Sequence, residues 1–129
     1  MISILLIEDD PLLAELMGLS ITFAKFKLLT AVTAEEALPI ITEQSPDLIL
    51  LDIILPGMSG LELLARIKED AALKIIPVII LSNLNDEEHI NEGKRLGAAA
   101  YLGKANIRPW EVINKVNEVL NDRRVLGHN

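Results

Sequence analysis

The chain repeats one pattern from end to end: a short apolar run, then a longer segment that opens on a helix-start signal. The apolar runs lie at 4–7, 28–32, 47–51, 77–82 and 99–102. Three of them lack the polar alternation of a half-exposed strand. Continuous apolar runs fit strands covered on both faces. Between them, Asp10-Pro11 sets a capping residue before a proline at the first helical position. Thr33 and Glu36, Ser59 and Glu62, and Asn85 and Glu88 have the spacing of a capping box. Pro109 opens the last segment, with Ile113, Val116 and Leu120 at core spacing, behind Arg108, a poor capping residue. Strand then helix, five times over, means a parallel sheet with helices on both faces.

A chain of 129 residues is one domain and buries a core without covalent staples. There are no cysteines, which excludes disulfides, thiolate metal sites and thiol catalysis. Aromatics make up only 3%, so the core must come from Leu, Ile, Val and Ala. Twelve basic against 19 acidic residues leave a net charge of −7, which argues against non-specific nucleic-acid binding. The first apolar run is too short for a signal peptide or a membrane span, and no basic segment precedes it. A cytoplasmic location is expected.

Three local expectations follow. Pro39, inside the second helical pattern, is expected to shorten or kink that helix. The fourth helix, about 86–96, has only Ile90 and Leu96 as large apolar anchors and is expected to be the least firmly packed. In the first helix, Leu12, Leu16, Leu19 and Phe23 form one stripe, Leu13, Met17 and Ala24 a second, and Ile21 lies further round. This arc exceeds the roughly 100° that core packing demands. The expectation is a deeper core beneath neighbouring loops. The alternative is a partner surface, for a kinase helix bundle or for a homodimer.

In open parallel sheets the site lies beyond the carboxyl ends of the strands. The first strand ends in Glu8-Asp9-Asp10, the third in Asp52 and the fourth in Ser82-Asn83, while Lys104 follows the fifth. Carboxylates crowded together repel, and the cost rises as water is excluded. A hard divalent cation removes that cost, and all-oxygen ligation suits Mg²⁺. Glu8, Asp9 and Asp52 sum to −3, and a divalent cation with Lys104 adds +3. An aspartate held this way can attack phosphorus. Taken singly, each residue has a plainer role. Two of Glu8, Asp9 and Asp10 would cap the first helix, Asp52 and Ser82 would make turns, and Lys104 would be solvated. Four strand ends with complementary groups in this order argue for a shared site.

The motifs Leu-Leu-Ile-Glu8-Asp9-Asp10, Leu-Ile-Leu-Leu-Asp52-Ile-Ile-Leu-Pro56-Gly57-Met-Ser-Gly60, Pro77-Val-Ile-Ile-Leu-Ser82 and Gly97-Ala-Ala-Ala-Tyr101-Leu-Gly-Lys104 resemble those of the receiver domain of bacterial response regulators. The resemblance covers nearly the whole chain. It implies a receiver domain over 1–122 followed by a C-terminal tail at 123–129, and a flavodoxin-like fold with strand order 2-1-3-4-5. It implies that Asp52 accepts a phosphoryl group from a histidine kinase or a phosphotransfer protein. Glu8, Asp9, Asp52 and the backbone carbonyl of Ile54 would hold Mg²⁺. Ser82 matches the switch hydroxyl, Lys104 the lysine that pairs with the phosphoryl group, and Tyr101 the aromatic whose rotamer reports the active state. The fourth helix, fifth strand and fifth helix would rearrange together and present a face to an output partner. Pro56-Gly57 and Gly60 would shape the loop after Asp52.

The sequence departs from the family at three places. Ala105 follows Lys104 where the family usually has proline after a cis bond; a cis bond before Ala105 would cost about 3 kcal/mol. Asn83 stands where a very small residue is preferred and would narrow access to Asp52. Ile54 and Leu84 occupy the variable positions two beyond Asp52 and Ser82, where neither can hydrogen-bond a hydrolytic water. A slowly self-dephosphorylating aspartyl phosphate is therefore expected. His89, His128 and Trp110 have no ligand or catalytic setting, and packing is expected for Trp110.

The leading function is thus a phosphorylation-dependent signalling switch, not an enzyme in the ordinary sense. Both a stand-alone receiver and the receiver of a larger regulator fit, and the tail carries no recognisable DNA-binding module. The alternative is a pseudo-receiver, a phosphorylation-independent interaction module, supported by Ala105 and Asn83. A cofactor enzyme on the same sheet is disfavoured. No Gly-rich phosphate loop follows the first strand, and aromatics to stack on a flavin are scarce.

Overall fold

All five apolar runs form strands, and each pairs in parallel with its neighbours. The computed structural model describes residues 1–127, with side chains as far as Asp122. The order along the chain is β1 Ser3–Ile7, α1 Pro11–Phe23, β2 Lys27–Ala31, α2 Ala34–Gln44, β3 Leu48–Leu51, α3 Gly60–Glu69, β4 Val78–Ser82, α4 Glu87–Arg95 and β5 Ala100–Gly103. A 3₁₀ turn at Lys104–Asn106 leads into α5, Pro109–Gly127. The sheet runs β2-β1-β3-β4-β5, the doubly wound order expected. The helix α5 thus runs into the tail expected at 123–129, of which only 128–129, His128 included, lie outside the described residues.

The pleat divides the core into two layers. Leu5, Ile7, Ile49, Leu51, Val78 and Ile80 point to the side covered by α2 and α3. Ile4, Leu6, Leu48, Leu50, Ile79 and Leu81 point to the side covered by α1 and α5. The three central strands are therefore buried on both faces, which is why their sequences show no alternation. Each such side chain contributes about 1.5–3 kcal/mol on burial.

The helix starts follow the sequence closely. The Asp10 carboxylate accepts from the N–H groups of Leu12 (3.0 Å) and Leu13 (3.3 Å). Thr33 accepts from Glu36 N–H and Ser59 from Glu62 N–H. At α4 the cap is one residue later than the expected Asn85. Asp86 accepts from the His89 N–H, and its carboxylate also bonds the His89 ring at 2.6 Å. At α5 the weak cap Arg108 is compensated by Glu111, whose carboxylate reaches back to the Arg108 N–H.

Three expectations are revised. Of the two effects expected of Pro39, the shortening does not occur: α2 runs through it to Gln44. Ala34, Ala37 and Ile41 are fully buried against the sheet, and that packing outweighs the missing proline N–H. The outer stripe of α1 is not covered by loops: Leu12, Leu16, Leu19 and Phe23 all lie exposed, Phe23 at 87%. The covered face of α1 is carried by Met17, Gly18 and Ile21. Trp110, expected to pack, is 61% exposed and lines a groove of about 630 Å³ with Leu19, Phe23 and Ile113.

The expectation for α4 holds. Gly93 is the buried residue of α4, and Ile90 and Leu96 are only half-buried. The helix lies so close to the sheet there that a Cβ on Gly93 would meet Ile80 Cδ1 at 2.7 Å and the Tyr101 ring at 3.1 Å.

Candidate functional site

Glu8 and Asp52 sit one residue beyond β1 and β3, still inside the strand ladder. Glu8 N–H donates to the Ala31 carbonyl and Asp52 N–H to the Ile7 carbonyl. Both side chains are buried, Glu8 at 3% and Asp52 at 6% exposure, while Asp9 between them is exposed. Carboxylate oxygens of Glu8, Asp9 and Asp52 lie within 4.8 Å of one another. Asp10 stands apart, spent on capping α1. Of the acidic run, one residue takes the plain role of a helix cap, and the other two join Asp52.

Lys104 reaches this cluster from the end of β5. Its Nζ lies 2.6 Å from Glu8 Oε1 and 2.8 Å from Asp52 Oδ2. Its side chain is 11% exposed, so it is not the solvated lysine of the plain reading. No peptide bond among the described residues is cis. The Lys104–Ala105 bond is therefore trans, and the lysine still reaches both carboxylates.

Burial raises the Glu8 carboxyl above its ordinary value, partly offset by the Lys104 hydrogen bond and the Asp10 N–H, and Asp52 raises it further. Burial alone would pull the Lys104 ammonium down. The bonds to Asp52 and Glu8 outweigh that, and its value is raised. Three carboxylates against one ammonium leave a local charge of −2. One divalent cation would cancel it, and three carboxylate oxygens are the donors Mg²⁺ prefers.

Ser82 ends β4 beside Gly103 of β5 and is fully buried. Its hydroxyl accepts from the Leu84 N–H at 3.1 Å, so the local turn of the plain reading is real. Tyr101 lies behind it, half-buried, and donates its hydroxyl to the Leu84 carbonyl. Burial raises the Tyr101 phenol, the Ser82 hydrogen bond lowers it, and the carboxylates of Asp86 and Asp52 raise it again. Asp52 Oδ1 accepts from the Ile54 N–H at 3.3 Å. Ile54 is 58% exposed, Asn83 exposed and Leu84 half-buried around the rim.

The family model for the response regulator receiver domain matches residues 4–117. The chain belongs to this family. The receiver is 34% identical to the phosphate regulon transcriptional regulatory protein PhoB of Pseudomonas aeruginosa, over 92% of this chain and 51% of PhoB. It is 37% identical to the polar-differentiation response regulator DivK of Brucella ovis, over 79% of this chain and 83% of DivK. A CheY-like receiver domain from Methanospirillum hungatei superposes with a TM-score of 0.89 at 27% identity, over 96% and 97% of the two chains. The receiver spans about half the length of the first curated relatives it matches. No described helix is long and apolar enough to cross a membrane.

One contact of this receiver was invisible in its sequence. The Glu35 carboxylate, at the start of α2, accepts from the Met58 N–H in the loop after Asp52, at 3.1 Å. The two residues are 23 positions apart, and no local pattern links them.

Proposed function

We propose that this receiver takes a phosphoryl group on Asp52 from a phosphohistidine of a kinase or phosphotransfer protein. The observation that carries the reading is the buried Asp52 carboxylate with one oxygen on Lys104 and the Glu8–Asp9 pair alongside. An Asp52 oxygen forms the new O–P bond as the donor's N–P bond breaks. The imidazole takes the electron pair and leaves neutral when its other nitrogen carries a proton. Lys104 and the Ser82 hydroxyl would bond the phosphoryl oxygens and stabilise their charge. Glu8, Asp9, Asp52 and the Ile54 carbonyl would hold Mg²⁺, which supplies further positive charge when bound.

The new charge and acceptor oxygens draw Ser82 inward. Tyr101 then exchanges its bond to the Leu84 carbonyl for the space that Ser82 leaves. Its ring lies against Gly93 of the lightly anchored α4, so α4, β5 and α5 shift together and change the face offered to an output partner. The exposed α1 stripe begins at Leu12, three residues past Asp9 of the carboxylate cluster. It suits the helices of the phosphodonor; a second copy of the chain is the other candidate. Ile54 and Leu84 at the rim, with Asn83 narrowing access, make phosphate loss slow.

The test is intact mass after incubation with acetyl phosphate, with and without Mg²⁺, beside Asp52→Asn. The expected result is a single phosphoryl adduct that needs Mg²⁺ and is absent from the variant. A folded wild-type chain that takes no adduct would overturn the reading in favour of a phosphorylation-independent module, with Ala105 and Asn83 the first residues to revert.

A further inference from the structure

The loop between β3 and α3 carries Asp52 at its root and Ile54 two residues on. Its inner end is well held. Asp52 Oδ1 accepts from Ile54 N–H, and Gly60 N–H donates to the Ile53 carbonyl at 2.8 Å. Its outer limb runs past the start of α2, where the Met58 N–H donates to Glu35 Oε2. Gly57 makes this approach possible. It has φ +79°, and a Cβ there would sit 2.9 Å from Glu35 Oε2 and 3.2 Å from Oε1. A glycine in the left-handed region and a carboxylate seated against it thus form one fitted contact. Glu35 does not belong to the carboxylate cluster of Glu8, Asp9 and Asp52.

We infer that Glu35 is a positioning residue: by latching Met58 to α2 it holds the β3–α3 loop in the shape that presents the Ile54 carbonyl to the cation. The inference rests on the proposed Mg²⁺ site. Glu35 touches neither the cation nor the phosphoryl group, and acts through the loop. Partners bonded straight to a metal ligand are worth about 10–100-fold in affinity. A latch four residues from Ile54 should be worth less.

The test is Mg²⁺ affinity by calorimetry, together with amide exchange of Met58, for wild type, Glu35→Ala, Glu35→Gln and Glu36→Ala. Glu35→Ala should weaken Mg²⁺ by about threefold to tenfold, below the cost of losing a direct ligand partner, and should speed Met58 exchange. Glu35→Gln keeps an oxygen acceptor and should restore both. Glu36→Ala removes the same charge from the same helical turn without touching Met58, and should do neither. Unchanged Mg²⁺ affinity in Glu35→Ala would overturn the latch, as would an equal loss in Glu36→Ala, which would assign the effect to long-range charge. If wild type itself binds no Mg²⁺, the cation site fails and the latch with it, an outcome distinct from the other two.

Discussion

Lys104 Nζ lies 2.8 Å from Asp52 Oδ2, although 52 residues separate them, and the same ammonium is 2.6 Å from Glu8. One cation therefore holds two buried carboxylates from two other strands. Removing it leaves both charges without compensation. Lys104→Met should destabilise the chain by about 3 kcal/mol in metal-free buffer at neutral pH, the low end for a broken buried pair because the Asp9 side is open. Millimolar Mg²⁺ should recover much of that loss. Urea denaturation with Mg²⁺ or chelator checks it, and equal losses in both would contradict the shared-charge account.

Gly60 is the tightest backbone position beside the site. A Cβ there would run into the Asp52 carbonyl oxygen and meet Ile53 Cα at 2.8 Å. Both are main-chain atoms and cannot swing away. Gly60→Ala should cost about 2–3 kcal/mol by denaturation. Gly103→Ala, whose Cβ would find only Asn85 Cβ at 3.9 Å, should stay within about 0.5 kcal/mol.

The rim predicts phosphate lifetime. Ile54 and Leu84 offer no hydrogen bond to an attacking water. Ile54→Asn with Leu84→Glu should speed loss of the Asp52 phosphoryl group by about tenfold, equivalent to roughly 1.4 kcal/mol of barrier. The decay of the phosphorylated mass measures it. An unchanged lifetime would remove these two side chains from the account.

The start of α4 should respond to acid. The His89 hydrogen bond holds the Asp86 carboxyl below the ordinary 3.8, with burial opposing and backbone bonds from His89 and Asp86 adding to the lowering. A lowered folded value means stability that is fully present above 3.8 and lost as pH falls through the lower folded value. Corrected for the intrinsic pH dependence of exchange, protection of the α4 amides should therefore fall as pH drops below about 3.8. Asp86→Asn, which cannot titrate, should lose that acid-dependent step. If the step survives in the variant, another group sets it.

The local signals were reliable wherever a few neighbouring residues settle the outcome. Asp10, Thr33 and Ser59 cap helices where their spacing says, because a cap is a bond across two or three residues. At α4 the cap lies one position later, at Asp86, whose carboxylate bonds both the backbone and the ring of His89. Pro39 does not end α2 because its missing N–H is a local cost, whereas burial of Ala34, Ala37 and Ile41 is a tertiary gain. The stripe of α1 was misread. Its periodicity shows that Leu16 and Phe23 share a face, but not whether anything lies over that face.

By itself the sequence determined the alternation of strand and helix, the doubly covered sheet and the set of groups at its carboxyl end. Those follow from periodicity and from chain order, which are local. Tertiary structure alone decided that Lys104 is shared between Glu8 and Asp52, that Glu35 holds Met58, and that the outer face of α1 stays bare. Each of these depends on distances between segments far apart in the chain. Such distances exist only once the packed layers have set how the strand ends and loops meet.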